Sequence, residues 1–317
     1  MMRIDIIVAA RVAAETQSMR MELESTRARL ERLAIDAYFG SLLSSDGASP
    51  SRVVQLRVPG SGVELEICGP AQDRSIIGTI DACGGNYEPH VVSYLAKRLP
   101  ENATCVDIGA NLGAMSLQIS SIATRGHIYA FEPARATFDY LVRNIRANDI
   151  ANVTPVNFGL SNGTADAVLN YIEDLSGCSF VSVDGVEVAE GKRAVQETIQ
   201  LTSLDKWKKD NRIGRIDFIK LDAEGMEQLV LDGARATIKR DAPDLAIEFN
   251  PHTSDDFGHG SSEGLYRLLA DRWETILIIP RDMGDPIPVQ SYGQLLEYTR
   301  NGPGWEDLYC TDARREH

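Results

Sequence analysis

An acid and two spaced glycines form the stretch of this sequence that is best suited to chemistry. Residues 106–113 read Val-Asp-Ile-Gly-Ala-Asn-Leu-Gly, so Asp107, Gly109 and Gly113 follow a short apolar run and precede an apolar pattern with helical period. The sequence predicts a strand, a tight turn and a helix. Glycine lets the backbone adopt unusual φ values and approach a ligand closely, and the first amides of the helix are hydrogen-bond donors. We interpret the turn as a cradle for a nucleotide-like ligand.

A second acid, Glu132, ends the next predicted strand, 25 residues after Asp107. This spacing fits one helix and a return strand in a βαβ unit, so Glu132 should lie beside the glycine turn and could accept hydrogen bonds from ribose hydroxyls. A dinucleotide-binding dehydrogenase has Gly-x-Gly-x-x-Gly at this turn. Here the turn contains an acid, which repels pyrophosphate and suits an ammonium- or sulfonium-bearing ligand. A dehydrogenase and a purely structural turn are the alternatives.

Two later predicted strands also end in groups that can move protons. Residues 216–222 form a strand that ends at Asp222, and Glu224 follows two residues later. Residues 245–252 contain Glu248 and end at His252. Two acids at this spacing on an extended turn can face the same way and form a general base or part of a metal site, and histidine titrates near neutrality. The alternative for the two acids is capping of the next helix.

Three segments in this order resemble the FkbM family of S-adenosylmethionine-dependent methyltransferases. They are residues 106–113, Tyr-Ala-Phe-Glu-Pro at 129–133 with Asn-Ile at 144–145, and Lys-Leu-Asp-Ala-Glu-Gly at 220–225. The resemblance extends from about residue 88 to about residue 248. The family pattern usually reads Asp-Val-Gly-Ala-Asn-Ile-Gly and Asp-Val-Glu-Gly, so Ile108, Leu112 and Ala223 are mild departures. The resemblance implies S-adenosylmethionine as cofactor and O-methylation of a hydroxyl on a sugar, glycan or natural product.

The candidate site residues follow from these motifs and from the resemblance. Glu88 matches an acid that such sequences place upstream of the turn, although it could simply complement the start of the helix at Pro89. Asn157 or Phe158 could contact the adenine ring from the end of the third strand, by fold analogy. The cofactor-binding candidates are Glu88, Asp107, Gly109, Asn111, Gly113, Glu132 and Asn157. The catalytic candidates are Asp222, Glu224, Glu248 and His252. A divalent metal could assist, but its ligands stay unassigned.

The chain divides into three predicted parts. Residues 1–43 read as a long helix whose weak heptad pattern favours either a coiled coil that makes a homo-oligomer or a helix that packs on its own domain. Residues 51–86 read as a β-hairpin cap. Residues 87–317 read as the methyltransferase domain, an α/β fold with a seven-stranded, mostly parallel Rossmann-like sheet of class I, and residues 164–201 as a β excursion over the site. The remaining alternative is a noncatalytic partner in an assembly, with the N-terminal helix as its interaction element.

Composition limits the remaining classes. The chain has 317 residues, 43% hydrophobic and 25% charged, which is ordinary for a soluble globular protein. A net charge of −14 disfavours binding to nucleic acid. Its five cysteines are widely spaced and lack a Cys-x-x-Cys pair, which indicates a reducing, cytoplasmic location. The apolar run at residues 6–10 is too short for a membrane span or a signal-peptide core. We therefore expect a small-molecule or glycan acceptor as the partner.

Overall fold

The structure is a computed structural model that describes residues 50–172, 175–182, 194–256 and 260–313. The predicted N-terminal helix at 1–43 and its coiled coil lie outside these residues. All described residues belong to one compact unit. Among them, no helix is both long enough and apolar enough to cross a membrane.

The described strands and helices alternate along most of the chain. The strands are β1 Ser51–Arg57, β2 Glu64–Pro70, β3 Thr104–Ile108, β4 His127–Phe131, β5 Val153–Val156, β6 Gly159–Leu160, β7 Ala165–Ile172, β8 Leu175–Ser182, β9 Ala194–Thr202, β10 Phe218–Leu221, β11 Asp244–Phe249, β12 Trp273–Ile278, β13 Ile287–Pro288 and β14 Glu306–Ala313. The helices are α1 Ile77–Ala82, α2 Pro89–Ala96, α3 Ala114–Ile122, α4 Arg135–Ala147, α5 Leu204–Asp210, α6 Glu227–Asp232, α7 Arg235–Asp241, α8 Pro251–Asp256, α9 Ser262–Arg272 and α10 Tyr292–Asn301.

The central sheet has the strand order β13-β12-β14-β11-β10-β3-β4-β5. Strands β11, β10, β3, β4 and β5 are parallel to their neighbours in this series, whereas β14 runs antiparallel between β11 and β12. The classic dinucleotide-binding order has no such antiparallel insertion. The fold is thus the predicted α/β class I methyltransferase sheet.

The predicted count of seven strands is wrong by one within the described residues. The additional strand, β13, contains only Ile287 and Pro288, which pair antiparallel with Ile278 and Leu277. Two residues that include a proline carry no alternating hydrophobic pattern, so this edge strand could not be predicted from the sequence.

Two smaller β elements flank the central sheet. The excursion predicted over the site is present as a second sheet of order β6-β9-β7-β8, from which Leu169, Ile199 and Leu201 enter the main core. The hairpin of β1 and β2 is tied down by Asn144 of α4, whose amide donates to the carbonyls of Cys68 and Leu112. The hairpin therefore packs behind the glycine turn.

Candidate active site

A cavity of about 560 Å³ lies at the carboxyl ends of β3, β4, β10 and β11. This volume is within the usual range of small-molecule sites. Its apolar walls include Phe131, Phe158, Leu169, Ile199 and Leu201. Its charged lining among the described residues is strongly acidic: the carboxylates are Glu88, Asp107, Glu132, Asp222, Glu224 and Glu248, and the cations are Lys220 and Arg281.

The glycine turn after β3 is packed directly against the turn after β10. Gly109 has φ +80°, and a Cβ at this position would lie 1.8 Å from the carbonyl oxygen of Asp222. The amides of Gly109 and Ala110 both donate to the carbonyl of Phe131, at 3.0 and 2.9 Å. Gly113, at φ +94°, immediately precedes α3. Only glycine satisfies both the backbone conformation and the close approach at position 109.

Asp107 lies buried at the carboxyl end of β3, beside Lys220 of the neighbouring strand. The Ser116 hydroxyl donates to its Oδ2 at 2.5 Å. Burial raises the pKa of Asp107 to about 6, and the Ser116 hydrogen bond and the Lys220 charge limit the rise. Asp107 is thus held in place by Ser116 and lines the cavity, as the glycine-turn motif predicts.

Glu132 is buried where β4 ends, and it shapes the glycine turn. Its Oε2 accepts the amide of Asn111 at 3.0 Å, and its Oε1 accepts the amide of Ala134 at 2.9 Å. Burial raises the pKa of Glu132 to about 7, although these two amides favour the ionised form. The structure therefore brings Glu132, Asn111 and Asp107 to one wall of the cavity.

Asn157 does not line the cavity, in contrast to its predicted contact with a ligand. Its amide donates to the carbonyls of Glu132 and Pro133, at 2.9 Å each, and so fixes the loop after β4. Phe158, the other residue predicted for this contact, does line the cavity. Successive side chains of an extended segment point to opposite faces, so Asn157 faces away from the cavity where Phe158 lines it.

Asp222, Glu224 and Glu248 line the part of the cavity at the ends of β10 and β11. Burial raises the pKa of Glu224 and of Glu248 well above the usual range, and the Asp222 charge raises both further. Glu224 itself has φ +47°, and the turn is held by Glu227, whose carboxylate accepts the amides of Ala223 and Gly225. Sequence reasoning missed Glu227, although an acid in the first turn of α6 was a usable signal.

Lys220 supplies the counter-charge to this acidic wall and was not predicted. Its side chain is 3% exposed, and its Nζ lies 3.5 Å from Asp222 Oδ2. Burial lowers the pKa of Lys220, but Asp222 and then Glu88 more than reverse this, so the net shift is upward. A lysine within an otherwise apolar strand was the signal that could have found it, because a buried lysine requires acidic partners.

Glu88 lines the cavity at the start of α2. It precedes α2 in a left-handed conformation, φ 43°, and makes no capping hydrogen bond through its side chain. The alternative that its charge complements the start of α2 stays a prediction. Its Oε2 is buried without any hydrogen-bond partner. Burial raises the pKa of Glu88 to about 7 against the lowering effect of Lys220. A buried polar atom without a partner in a cavity wall indicates a place for a ligand.

His252 lies outside the cavity, in contrast to its predicted place at the crevice edge. It is exposed on α8, which begins at Pro251, one residue earlier. Because the chain becomes helical here, Asn250 and Thr253 line the cavity and His252 does not. Within the described ranges, no group of three or more His, Cys, Asp or Glu side chains has the arrangement of a metal site.

The known proteins to which this chain is similar are methyltransferases. The model of the methyltransferase FkbM domain matches residues 107–285. Methyltransferase sdnD of Sordaria araneosa is 32% identical over 164 residues, 44% of this chain and 63% of that protein. The hexuronic acid methyltransferase AglP of Haloferax volcanii is 28% identical over 148 residues, 46% of this chain and 56% of that protein. The match thus spans about three fifths of the length of these curated relatives.

A solved structure of methyltransferase FkbM from Methylobacillus flagellatus is 20% identical and covers 67% of this chain and 44% of that chain, with a TM-score of 0.40. The family model itself covers more than half of the chain and includes the glycine turn, Glu132, Asp222 and Glu248. The chain therefore belongs to the FkbM methyltransferase family.

Proposed function

We propose that this protein is an S-adenosylmethionine-dependent O-methyltransferase that acts on a hydroxyl of a sugar, glycan or natural product. The observation that carries the proposal is the excess of six carboxylates over two cations around one cavity at the ends of parallel strands. S-adenosylmethionine bears a sulfonium and an ammonium, both of which this field attracts. The pyrophosphate of NAD(P) would be repelled, which disfavours the oxidoreductase alternative.

The residues present fit such a cofactor. Glu132 uses one lone-pair site on each oxygen for a backbone amide, and a carboxylate has about four such sites, so two remain for ribose hydroxyls. The unpartnered Oε2 of Glu88 suits an ammonium donor. The tight approach at Gly109 leaves no side chain between the turn and a ligand. These residues would hold the cofactor on the β3 and β4 side.

When bound, the cofactor would supply an electrophilic methyl group on its sulfonium. An alcohol is a poor nucleophile at neutral pH, so a base should remove its proton. Asp222 fits this role because it lines the cavity and has Lys220 as counter-charge. Glu224 and Glu248 line the cavity beside Asp222 and would offer hydrogen-bonding groups to the acceptor. Phe158 and Ile199 would exclude water.

Several finer points belong to this proposal. The name of the relative AglP supports a sugar-like acceptor. A divalent metal bound at Asp222 is the alternative to direct proton transfer to its carboxylate. A cytoplasmic location, self-association through residues 1–43, and the division into a cap at 51–86 and a catalytic domain at 87–317 stay predictions.

Titration calorimetry with S-adenosylmethionine tests the donor site. We expect the wild type to bind, and Glu132→Gln to weaken binding by about 10- to 100-fold, because charge-assisted hydrogen bonds to the ribose are lost. Asp205→Asn is the matched control, since Asp205 also bridges two backbone amides, those of Ala236 and Thr237, but lies away from the cavity. Both variants should lose some stability, whereas only Glu132→Gln should lose affinity. Equal affinity in all three proteins would contradict the proposed site.

A further inference from the structure

Arg281 and Trp305 form a corner of the cavity, and the proposed function assigns no role to either residue. Arg281 follows β12 by three residues, and Trp305 immediately precedes β14. Because β14 is antiparallel, its beginning lies at the same sheet edge as the carboxyl ends of β11 and β12. Strand β14 is four positions from β4 in the sheet, or about 19 Å at the usual strand spacing. The corner is thus at the far end of the cavity from Glu132.

The Arg281 guanidinium is positioned from two sides. Its Cζ lies 5.1 Å from the ring centroid of Trp305. One of its terminal nitrogens lies 3.3 Å from Asp307 Oδ2. Asp307 is itself fixed, because the same oxygen lies 2.8 Å from His90 Nε2 and both side chains are buried. Arg281 is therefore supported by a rigid pair, and a guanidinium has five N–H donors, of which Asp307 needs one.

Lys220 and Arg281 differ in what their charges can do. Lys220 is buried, with 3% of its side chain exposed, so it offers a ligand little contact. The Arg281 side chain is 40% exposed, and it is the cation of the described cavity lining that a ligand can reach. The cavity lining carries six acidic side chains, so an anionic part of a ligand would be repelled over most of the cavity and least beside Arg281.

We propose that the acceptor is a hydroxylated molecule bearing a carboxylate, and that Arg281 binds this carboxylate while the reacting hydroxyl lies at Asp222. The proposal rests on the proposed function. A guanidinium fits a planar carboxylate through two parallel hydrogen bonds. A phosphate matches the same donors, but its second charge would increase repulsion from the surrounding acids, so the monoanionic carboxylate is favoured.

The test uses acceptors in matched pairs that differ only in the charged group. The acids are para-nitrophenyl glucuronide, para-nitrophenyl galacturonide and a set of hydroxycarboxylic acids. Their neutral partners are the corresponding glucoside, galactoside and methyl esters. Formation of S-adenosylhomocysteine gives kcat/KM for each. We expect the wild type to prefer the acid of at least one pair by tenfold or more.

Two variants assign the preference to Arg281. Arg281→Gln should lower the acid-to-neutral ratio of kcat/KM by about 10- to 100-fold, mainly through KM, and Arg281→Lys should recover part of it. Arg267→Gln is the control, because Arg267 is an exposed arginine of α9 paired with Glu263 outside the cavity. Its ratio should equal that of the wild type.

The outcomes separate the proposal from its rivals. If Arg281 only neutralises Asp307, Arg281→Gln will lower the unfolding temperature and reduce acid and neutral turnover equally, which overturns the proposal. If it binds the carboxylate of the donor instead, donor affinity by calorimetry will fall, which also overturns it. Turnover that favours the neutral partners, or no turnover of any acid, does the same. Failure of S-adenosylmethionine to bind the wild type would instead overturn the proposed function.

Discussion

The two walls of the cavity use the same residue types for different purposes. On the β3 and β4 side, Asp107 and Glu132 accept hydrogen bonds from the chain itself, the former from Ser116 and the latter from two backbone amides. On the β10 side, Asp222 has Lys220 as its counter-charge at 3.5 Å, whereas Glu88, proposed for the donor side, has a buried oxygen without a partner. Satisfied carboxylates hold a backbone in shape, whereas uncompensated ones are available to a ligand. The comparison assigns donor binding to the first wall and proton transfer to the second.

The largest effect is expected where the two walls touch, at Gly109. Gly109→Ala would place a Cβ 1.8 Å from the Asp222 carbonyl oxygen at φ +80°. The free energy of unfolding should fall by about 3 kcal/mol or more, measured by urea denaturation. Gly163→Ala is the control, because its Cβ meets nothing within 4 Å and the change should stay within about 0.5 kcal/mol. Equal free energies of unfolding for the two variants would show that the turns after β3 and β10 can move apart at little cost.

The second test removes the charge of Asp222 and retains its shape. Asp222→Asn should lower the methylation rate by about 10²-fold, the usual scale of a lost general base, and leave donor affinity within a few-fold of the wild type. If Asp222 only capped the following helix, the amide would serve nearly as well. A normal rate would therefore assign Asp222 a structural role and remove the distinction between the walls.

A chelator sharpens the same test. If a divalent metal assists Asp222, wild-type activity should fall on chelation and recover with magnesium. If the carboxylate acts directly, the rate should be the same with and without the chelator. The assay needs only the wild-type protein and an acceptor identified by the panel of matched pairs.

The smallest expected effect is a pH dependence at Glu88. Burial raises its pKa from 4.5 to about 7, so the folded state binds this proton more tightly than the unfolded state. The stability gained from protonated Glu88 is complete below about pH 4.5 and is lost as the pH rises through 7. Glutamine does not ionise. The free energy of unfolding of Glu88→Gln should therefore rise by about 2 kcal/mol relative to that of the wild type between pH 5 and pH 8.

Urea denaturation at several pH values measures this difference. Glu101→Gln is the control, because Glu101 is exposed and paired with Arg125 at the surface, and its difference from the wild type should be nearly constant with pH. A constant difference for Glu88→Gln as well would mean that burial does not raise the pKa of Glu88, and would contradict its description as a buried acid without a hydrogen-bond partner.

The sequence by itself determined the parts of this protein that depend on local pattern. Strand and helix periods, the glycine turn and the acid at the end of β4 are encoded within short windows of sequence. The sheet class could therefore be predicted, and so could the positions of Asp107, Glu132 and Asp222 at the cavity. The direction in which each side chain points could not be predicted in this way. Asn157 and His252 each lie next to a residue that lines the cavity, Phe158 in one case and Thr253 in the other. A local bend decides between such neighbours, and hydropathy does not report it.

Only the tertiary structure decided which distant groups meet. Strand β14 returns between β11 and β12 and brings Asp307 to His90, 217 residues earlier in the chain. The same return places Trp305 beneath Arg281, and the parallel pairing of β3 with β10 sets Lys220 beside Asp107. Burial then changes the proton affinities of Glu88, Glu224 and Glu248, because desolvation depends on everything that surrounds a group and on none of its sequence neighbours alone.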